Sequence, residues 1–222
     1  MWDAQRSASI QAPDLPGFGS GKAPPPHPPT IEAYADFVHS LITALAEKPI
    51  VGGLSMGGYV LLALLRKYPA DVAGAVLVDT RAEADTAEAR AARLKAIEDV
   101  RAHGTAGLIN AMLPRLLSAQ ASEALKGRVR GIMERQSPAA VVAAQTAMAQ
   151  RPDQTDLLPT IKIPTLIIVG QQDIMTPPAV ARSMHERIPG SKLVEIAGAG
   201  HMSPMEEPGP VNAALMEFMA GF

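Results

Sequence analysis

A hydroxyl, an imidazole and a carboxylate held together can carry out nucleophilic attack on a carbonyl. The segment where such chemistry would start is Gly53-Leu54-Ser55-Met56-Gly57. It follows the apolar run Pro49–Gly53 and leads straight into Met56–Tyr68, which is almost wholly apolar. A strand passing directly into a helix at one serine makes a tight, strained turn. That turn exposes Ser55 Oγ at the edge of a sheet and aims the following helix N-terminus at the same point. The Met56 N–H is then placed to stabilise a developing oxyanion. Glycines at 53 and 57 are expected because side chains there would collide.

A serine hydroxyl needs a base to take its proton. Of the five histidines, His27 lies in a proline run, His39 and His103 fit helix or helix-end positions, and His185 falls inside a helical pattern. His201 differs: Ala197-Gly198-Ala199-Gly200-His201-Met202 is a small-residue loop after a strand-like run, able to carry an imidazole to Ser55. The base in turn needs an acid to fix its tautomer. Asp173 follows the run Thr165–Val169 and stands at the same sheet edge, while Asp79, after Ala75–Val78, is its competitor.

These residues need a scaffold of strands and helices. Strand-like runs occur at Ser9–Ala12, Pro49–Gly53, Ala75–Val78, Thr165–Val169 and Lys192–Ile196. The three middle ones are nearly continuous in apolar residues, as in strands covered on both faces. Helical patterns lie at Thr30–Ala46, Met56–Tyr68, from a Thr176 cap and Pro177 to Ile188, and Val211–Met219. Alternating strands and helices predict an α/β fold with a mostly parallel sheet of about five strands. Residues 81–158 hold no strand-like run and read as helices at about 83–102, 105–117, 119–135 and 138–150. Residues 1–80 and 159–222 are therefore expected to form one core, and 81–158 an inserted all-helical cap over the sheet's C-terminal edge.

Composition narrows the classes. The 222 residues are 47% hydrophobic and 19% charged, with a formal net charge of −2 and no cysteine. That balance points to no nucleic-acid or membrane partner, and lack of cysteine excludes a thiolate nucleophile or disulfide framework. No secretory leader or membrane-length apolar run is present, so a cytoplasmic protein is expected. Pro24–Pro29 has PxxP spacing and is read as a stiff loop. Gly19–Ala23 lacks the first glycine and the final Ser or Thr of a phosphate-binding loop, and no metal-ligand spacing appears.

Taken in chain order, Ser55, Asp173 and His201 in these contexts resemble the α/β-hydrolase superfamily. Ala12-Pro13-Asp14-Leu15-Pro16-Gly17-Phe18-Gly19-Ser20 is similar to that family's loop after its fourth strand. Gly200-His201 with Glu206-Glu207-Pro208, and Ile163-Pro164 ahead of Gly170 and Asp173, are similar to its later motifs. The likeness covers residues 9–222 apart from the helical middle, and is greatest to small bacterial carboxylesterases and enol-lactonase-like hydrolases. It implies an α/β-hydrolase fold and a Ser55, Asp173, His201 triad. It further implies hydrolysis of small or medium carboxylic esters, or of lactones, without a cofactor or metal.

The family normally places three strands before the segment matched by residues 9–12, the third ending in a loop that donates a second oxyanion N–H. Nothing similar precedes Ser9, although Trp2-Asp3-Ala4-Gln5 resembles the helix after that loop. Losing one oxyanion donor costs about 100- to 1,000-fold in kcat. The strand at 9–12 is therefore expected to pair with residues 50–53, with Leu15, Gly17 or Phe18 supplying the second donor. The alternatives are a second chain filling the gap in a homo-oligomer, or a silent hydrolase scaffold used for binding. A perhydrolase would use the same triad.

Overall fold

Apolar runs with no polar alternation form strands buried on both faces. A computed structural model describes residues 1–7, 9–19 and 23–222. Four strands among them, β1 (Ile50–Leu54), β2 (Gly74–Val78), β3 (Thr165–Gly170) and β4 (Lys192–Ile196), form one parallel sheet in the order β1-β2-β3-β4. Every residue of β2 and β3 is buried. Side chains alternate across the pleat: Leu77 and Ile167 join the core on one face, and Val76, Val78, Leu166 and Ile168 that on the other. The register aligns Leu54 with Val78 and Gly170 with Ile196. The residues that follow each strand therefore emerge along one edge.

Helices α1 (Ile31–Ile42), α2 (Met56–Lys67), α7 (Pro178–Arg187), α8 (Ser203–Glu206) and α9 (Pro208–Met219) surround the sheet. In α2, Leu61, Leu62, Leu64 and Leu65 are buried. At about 1.5–3 kcal/mol for each buried leucine, the helix that begins at Ser55 is firmly seated. Helix α1 starts at its Thr30 cap but ends at Ile42 rather than Ala46, where Thr43 Oγ1 donates to His39 O at 3.0 Å. Helices α3 (Ala87–His103), α4 (Ala106–Leu116), α5 (Glu123–Glu134) and α6 (Pro138–Gln150) lie between β2 and β3. Pro114 sits within α4. The two ends of this helical insertion are tied together. Gln154 N–H donates to Ala82 O at 2.9 Å, and Arg151 pairs with Asp85 at 2.7 Å while its guanidinium lies 4.1 Å from the Tyr59 ring centre on α2.

The expected strand at residues 9–12 does not form. Ser7 Oγ accepts from Ser9 N and Ile10 N, Ser7 N donates to Ile10 O, and Arg6 donates to Ala12 O. Local side-chain bonds thus occupy backbone groups that a ladder would need. Residues 9–12 do not pair with β1, which is an edge strand. Trp2–Gln5 is a single turn, closed by Gln5 N–H on Trp2 O, not a helix. Ser20, Gly21 and Lys22 of the Gly19–Ala23 segment lie outside the described residues. Among those residues no helix is long and apolar enough to cross a membrane.

Candidate active site

Ser55 occupies the junction of β1 and α2 with φ +53° and ψ −112°, a conformation that L-residues seldom adopt. Its backbone is held on every side. Ser55 N–H donates to Val78 O, and Ser55 O accepts from Gly58 N, Tyr59 N and Thr80 Oγ1, the last at 2.8 Å. Both flanking glycines were expected to be sterically required, but only Gly53 is. A Cβ on Gly53 would fall far inside 3.0 Å of Gly57 O, whereas one on Gly57 meets nothing within 4 Å. The second tight position is Gly58, where a Cβ would run into the Thr80 side chain. Gly53→Ala is therefore expected to cost about 3 kcal/mol or more by overpacking against backbone. Gly57→Ala, at a helical position, should be neutral or stabilising by up to about 1 kcal/mol. Urea denaturation midpoints of the two variants check this contrast.

Beyond β4, the histidine loop has to cross back over the sheet edge toward Ser55. It does so over Gly170, the last residue of β3, where any Cβ would strike Ala199 O and Gly200 O. His201 is buried, and its Nδ1 lies 2.8 Å from Asp173 Oδ2. Asp173 is buried too; burial pushes its carboxyl up, yet the bond and charge of His201, with the Thr176 hydroxyl and N–H, hold it below the ordinary 3.8. An ionised carboxylate only accepts, so Nδ1 carries the proton and Nε2 is left free to act as a base. Asp173 Oδ1 accepts from Met175 N at 2.7 Å and Thr176 N at 2.9 Å. Thr176 does not cap α7, whose N-cap is Pro177; its Oγ1 donates to Asp173 Oδ2 at 2.5 Å instead. Among the described residues Ser55 Oγ forms no hydrogen bond. A nucleophile–base contact commonly tightens only with substrate in place.

The competing carboxylate, Asp79, is placed differently. Its Oδ1 accepts from Gly170 N at 2.8 Å and its Oδ2 from Ser203 Oγ at 2.5 Å and Ser203 N at 3.3 Å. It pins the end of β3 and the start of α8, and makes no hydrogen bond to His201. Burial raises its pKa to about 7, against the lowering effects of Ser203, Gly170 and His201. The folded state thus keeps a proton that the unfolded chain releases above pH 3.8. Stability from this group is whole below that pH and is lost as pH rises to about 7. Relative to the wild type, Asp79→Asn is expected to gain roughly 2 to 3 kcal/mol between pH 5 and pH 8. Urea unfolding at both pH values measures it; an unchanged difference would mean an ordinary carboxylate pKa.

Of the expected oxyanion donors, Met56 N–H sits in the first turn of α2, where helical N–H groups lack intrahelical partners. It bonds to no group among the described residues. Gly17 N–H donates to Ala23 O at 2.8 Å and Phe18 N–H to Leu15 O at 2.9 Å, so both are already committed. Leu15 N–H alone of the three donates to no backbone carbonyl among the described residues. Sequence reasoning missed Thr80 and the steric role of Gly58, and read Thr176 as a helix cap, not as a partner of Asp173. Thr80 and Thr176 lie close after a strand end in sequence, a weak signal that only their partners make specific. Among the described residues no three His, Asp or Glu side chains form a metal-ligand set.

A family model described as "Alpha/beta hydrolase family" matches residues 4–214. The pimeloyl-[acyl-carrier protein] methyl ester esterase of Neisseria meningitidis serogroup C is 30% identical over 219 residues, covering 96% of this chain and 83% of that protein. A thermophilic esterase from Thermogutta terrifontis superposes with a TM-score of 0.89 at 40% identity, over 94% of this chain and 78% of that one. The enol-lactonase from Burkholderia xenovorans LB400 does so with a TM-score of 0.83 at 27% identity, over 93% and 79%.

Proposed function

The chain belongs to the alpha/beta hydrolase family, and from that premise we propose that it is a serine hydrolase cleaving carboxylic esters through an acyl-enzyme. The observation that carries this reading is the buried His201–Asp173 pair at 2.8 Å, on the sheet edge where β1 ends in the strained Ser55. Ser55 Oγ attacks the ester carbonyl while His201 Nε2 takes its proton. Asp173 holds His201 in the Nδ1–H tautomer and stabilises the imidazolium. The oxyanion of the tetrahedral intermediate is received by Met56 N–H, with Leu15 N–H as the second donor. His201 returns the proton to the departing alcohol, and water then releases the acid from Ser55 by the same route in reverse.

The helices of residues 81–158 serve as the cap, and their side chains shape a pocket for small or medium acyl and alcohol groups. The likeness to an esterase of an acyl-carrier-protein methyl ester supports ester cleavage, and the likeness to an enol-lactonase supports lactones as a second substrate class. A fluorophosphonate probe and a panel of p-nitrophenyl esters, methyl esters and enol-lactones test the reading. Covalent labelling mapped to the Ser55 peptide, with turnover of at least one class, is expected. Folded protein that neither labels nor turns over any of them would overturn it in favour of a binding scaffold.

A further inference from the structure

His201 is held through its ring by Asp173, but something must also hold the main chain that carries it. That loop is built from small residues, Ala197-Gly198-Ala199-Gly200, and has no strand or long helix of its own. The group that reaches it is Glu206, the last residue of α8. Its Oε1 accepts from Gly200 N at 2.9 Å and Met202 N at 3.3 Å, the two amides that flank His201. Its Oε2 accepts from Ser118 N at 2.7 Å, on the connection between α4 and α5 of the helical insertion.

The same contact is closed sterically and by backbone. A Cβ on Gly200 would strike Ser118 N and Leu117 C, and Met202 N–H also donates to Leu116 O at 3.1 Å. Leu116, Leu117 and Ser118 are buried. One carboxylate thus joins both sides of His201 to a segment of the insertion, with three N–H donors converging on it. Bonds to an ionised acceptor are about twice as strong as neutral ones.

We propose that Glu206 is a positioning residue that fixes the main chain of His201 and couples it to the helical insertion, so that the seating of the insertion sets the base geometry. This rests on His201 acting as the base, as proposed above. Glu206 does not touch the ring or the reacting atoms. Its effect is on where Nε2 points, and a misplacement of about 1 Å in such a group costs on the order of 100-fold.

Glu206→Gln keeps the size but turns an N–H₂ donor toward at least one of the three N–H groups. Glu206→Asp keeps the charge but is too short to span from Gly200 to Ser118. Both are expected to lower kcat for a p-nitrophenyl ester about 10- to 100-fold per active site counted with a fluorophosphonate probe, with KM within about threefold. Glu207→Gln, one residue on, should match the wild type. Amide hydrogen exchange on the wild type should show Ser118, Gly200 and Met202 protected, and in Glu206→Gln all three faster while Leu166–Val169 stay unchanged.

Wild-type kcat per site in Glu206→Gln, full activity in Glu206→Asp, or an equal loss in Glu207→Gln would each overturn the proposal. Should the Glu206 variants fail to fold, fast exchange of the three amides in the wild-type protein still overturns it, and protection supports it. Failure of the catalytic reading is distinct: wild-type protein would take no label at Ser55, whatever those amides do.

Discussion

Ser55→Ala is expected to lower ester turnover about 10⁶-fold and to abolish fluorophosphonate labelling while leaving the fold intact. The size of the loss follows from removing the atom proposed to form the acyl bond. Stability should stay near that of the wild type for two reasons. Ser55 Oγ forms no hydrogen bond among the described residues, so none is broken. At φ +53° an alanine also carries the same Cβ strain as serine. Ser55→Gly should relieve that strain and unfold at a higher urea concentration, by about 1 kcal/mol or more, while remaining just as inactive. A stable, silent glycine variant would locate the strain at the nucleophile. An alanine variant that retained turnover would remove Ser55 from the chemistry.

Asp173→Asn is the second large effect, expected to lower kcat about 10⁴-fold. The hydrogen bonds dictate which way the amide turns. Asp173 Oδ1 accepts two backbone N–H bonds, from Met175 and Thr176, so the asparagine oxygen must stay there. The N–H₂ group then replaces Oδ2 and faces His201 Nδ1. His201 can accept that bond only by moving its own proton to Nε2, where it can no longer take one from Ser55. The imidazolium formed during attack also loses its counter-charge. Asp79 offers no rescue, because both of its oxygens are engaged by Gly170 and Ser203. Kinetics on the Asp173→Asn and Asp79→Asn variants together check this. A loss at Asp79 as large as that at Asp173 would mean that the two carboxylates share the role.

The elements that carry the site were legible because their causes are local. The apolar runs at 74–78 and 165–170 are strands with every residue buried, and that at 50–54 is a half-buried edge strand. The helical pattern of α1, the apolar run of α2 and the lack of any strand-like run over 81–158 placed those helices to within a few residues. The serine between a strand and a helix is equally local, as is a histidine in a loop of small residues. Residues 9–12 were misread because their hydrophobic pattern is weak, and short side-chain bonds from Ser7 and Arg6 compete with a ladder.

What the chain order alone determined is therefore four of the five expected strands, together with the residues proposed as nucleophile and base. Which carboxylate meets His201 depends on the path of a loop, and that path rests on contacts remote in sequence. Gly170 lets residues 199–200 cross β3, Ser203 ties the loop to Asp79, 124 positions away, and Asp173 is left to bond the ring. The same holds for the glycines, where Gly53 is required by Gly57 O and Gly58 by Thr80, and for Gly17 and Phe18, whose N–H groups are committed to turns. Side-chain type sets what chemistry a residue can do. Only packing decides which donors, acceptors and spaces are already occupied when the chain has folded.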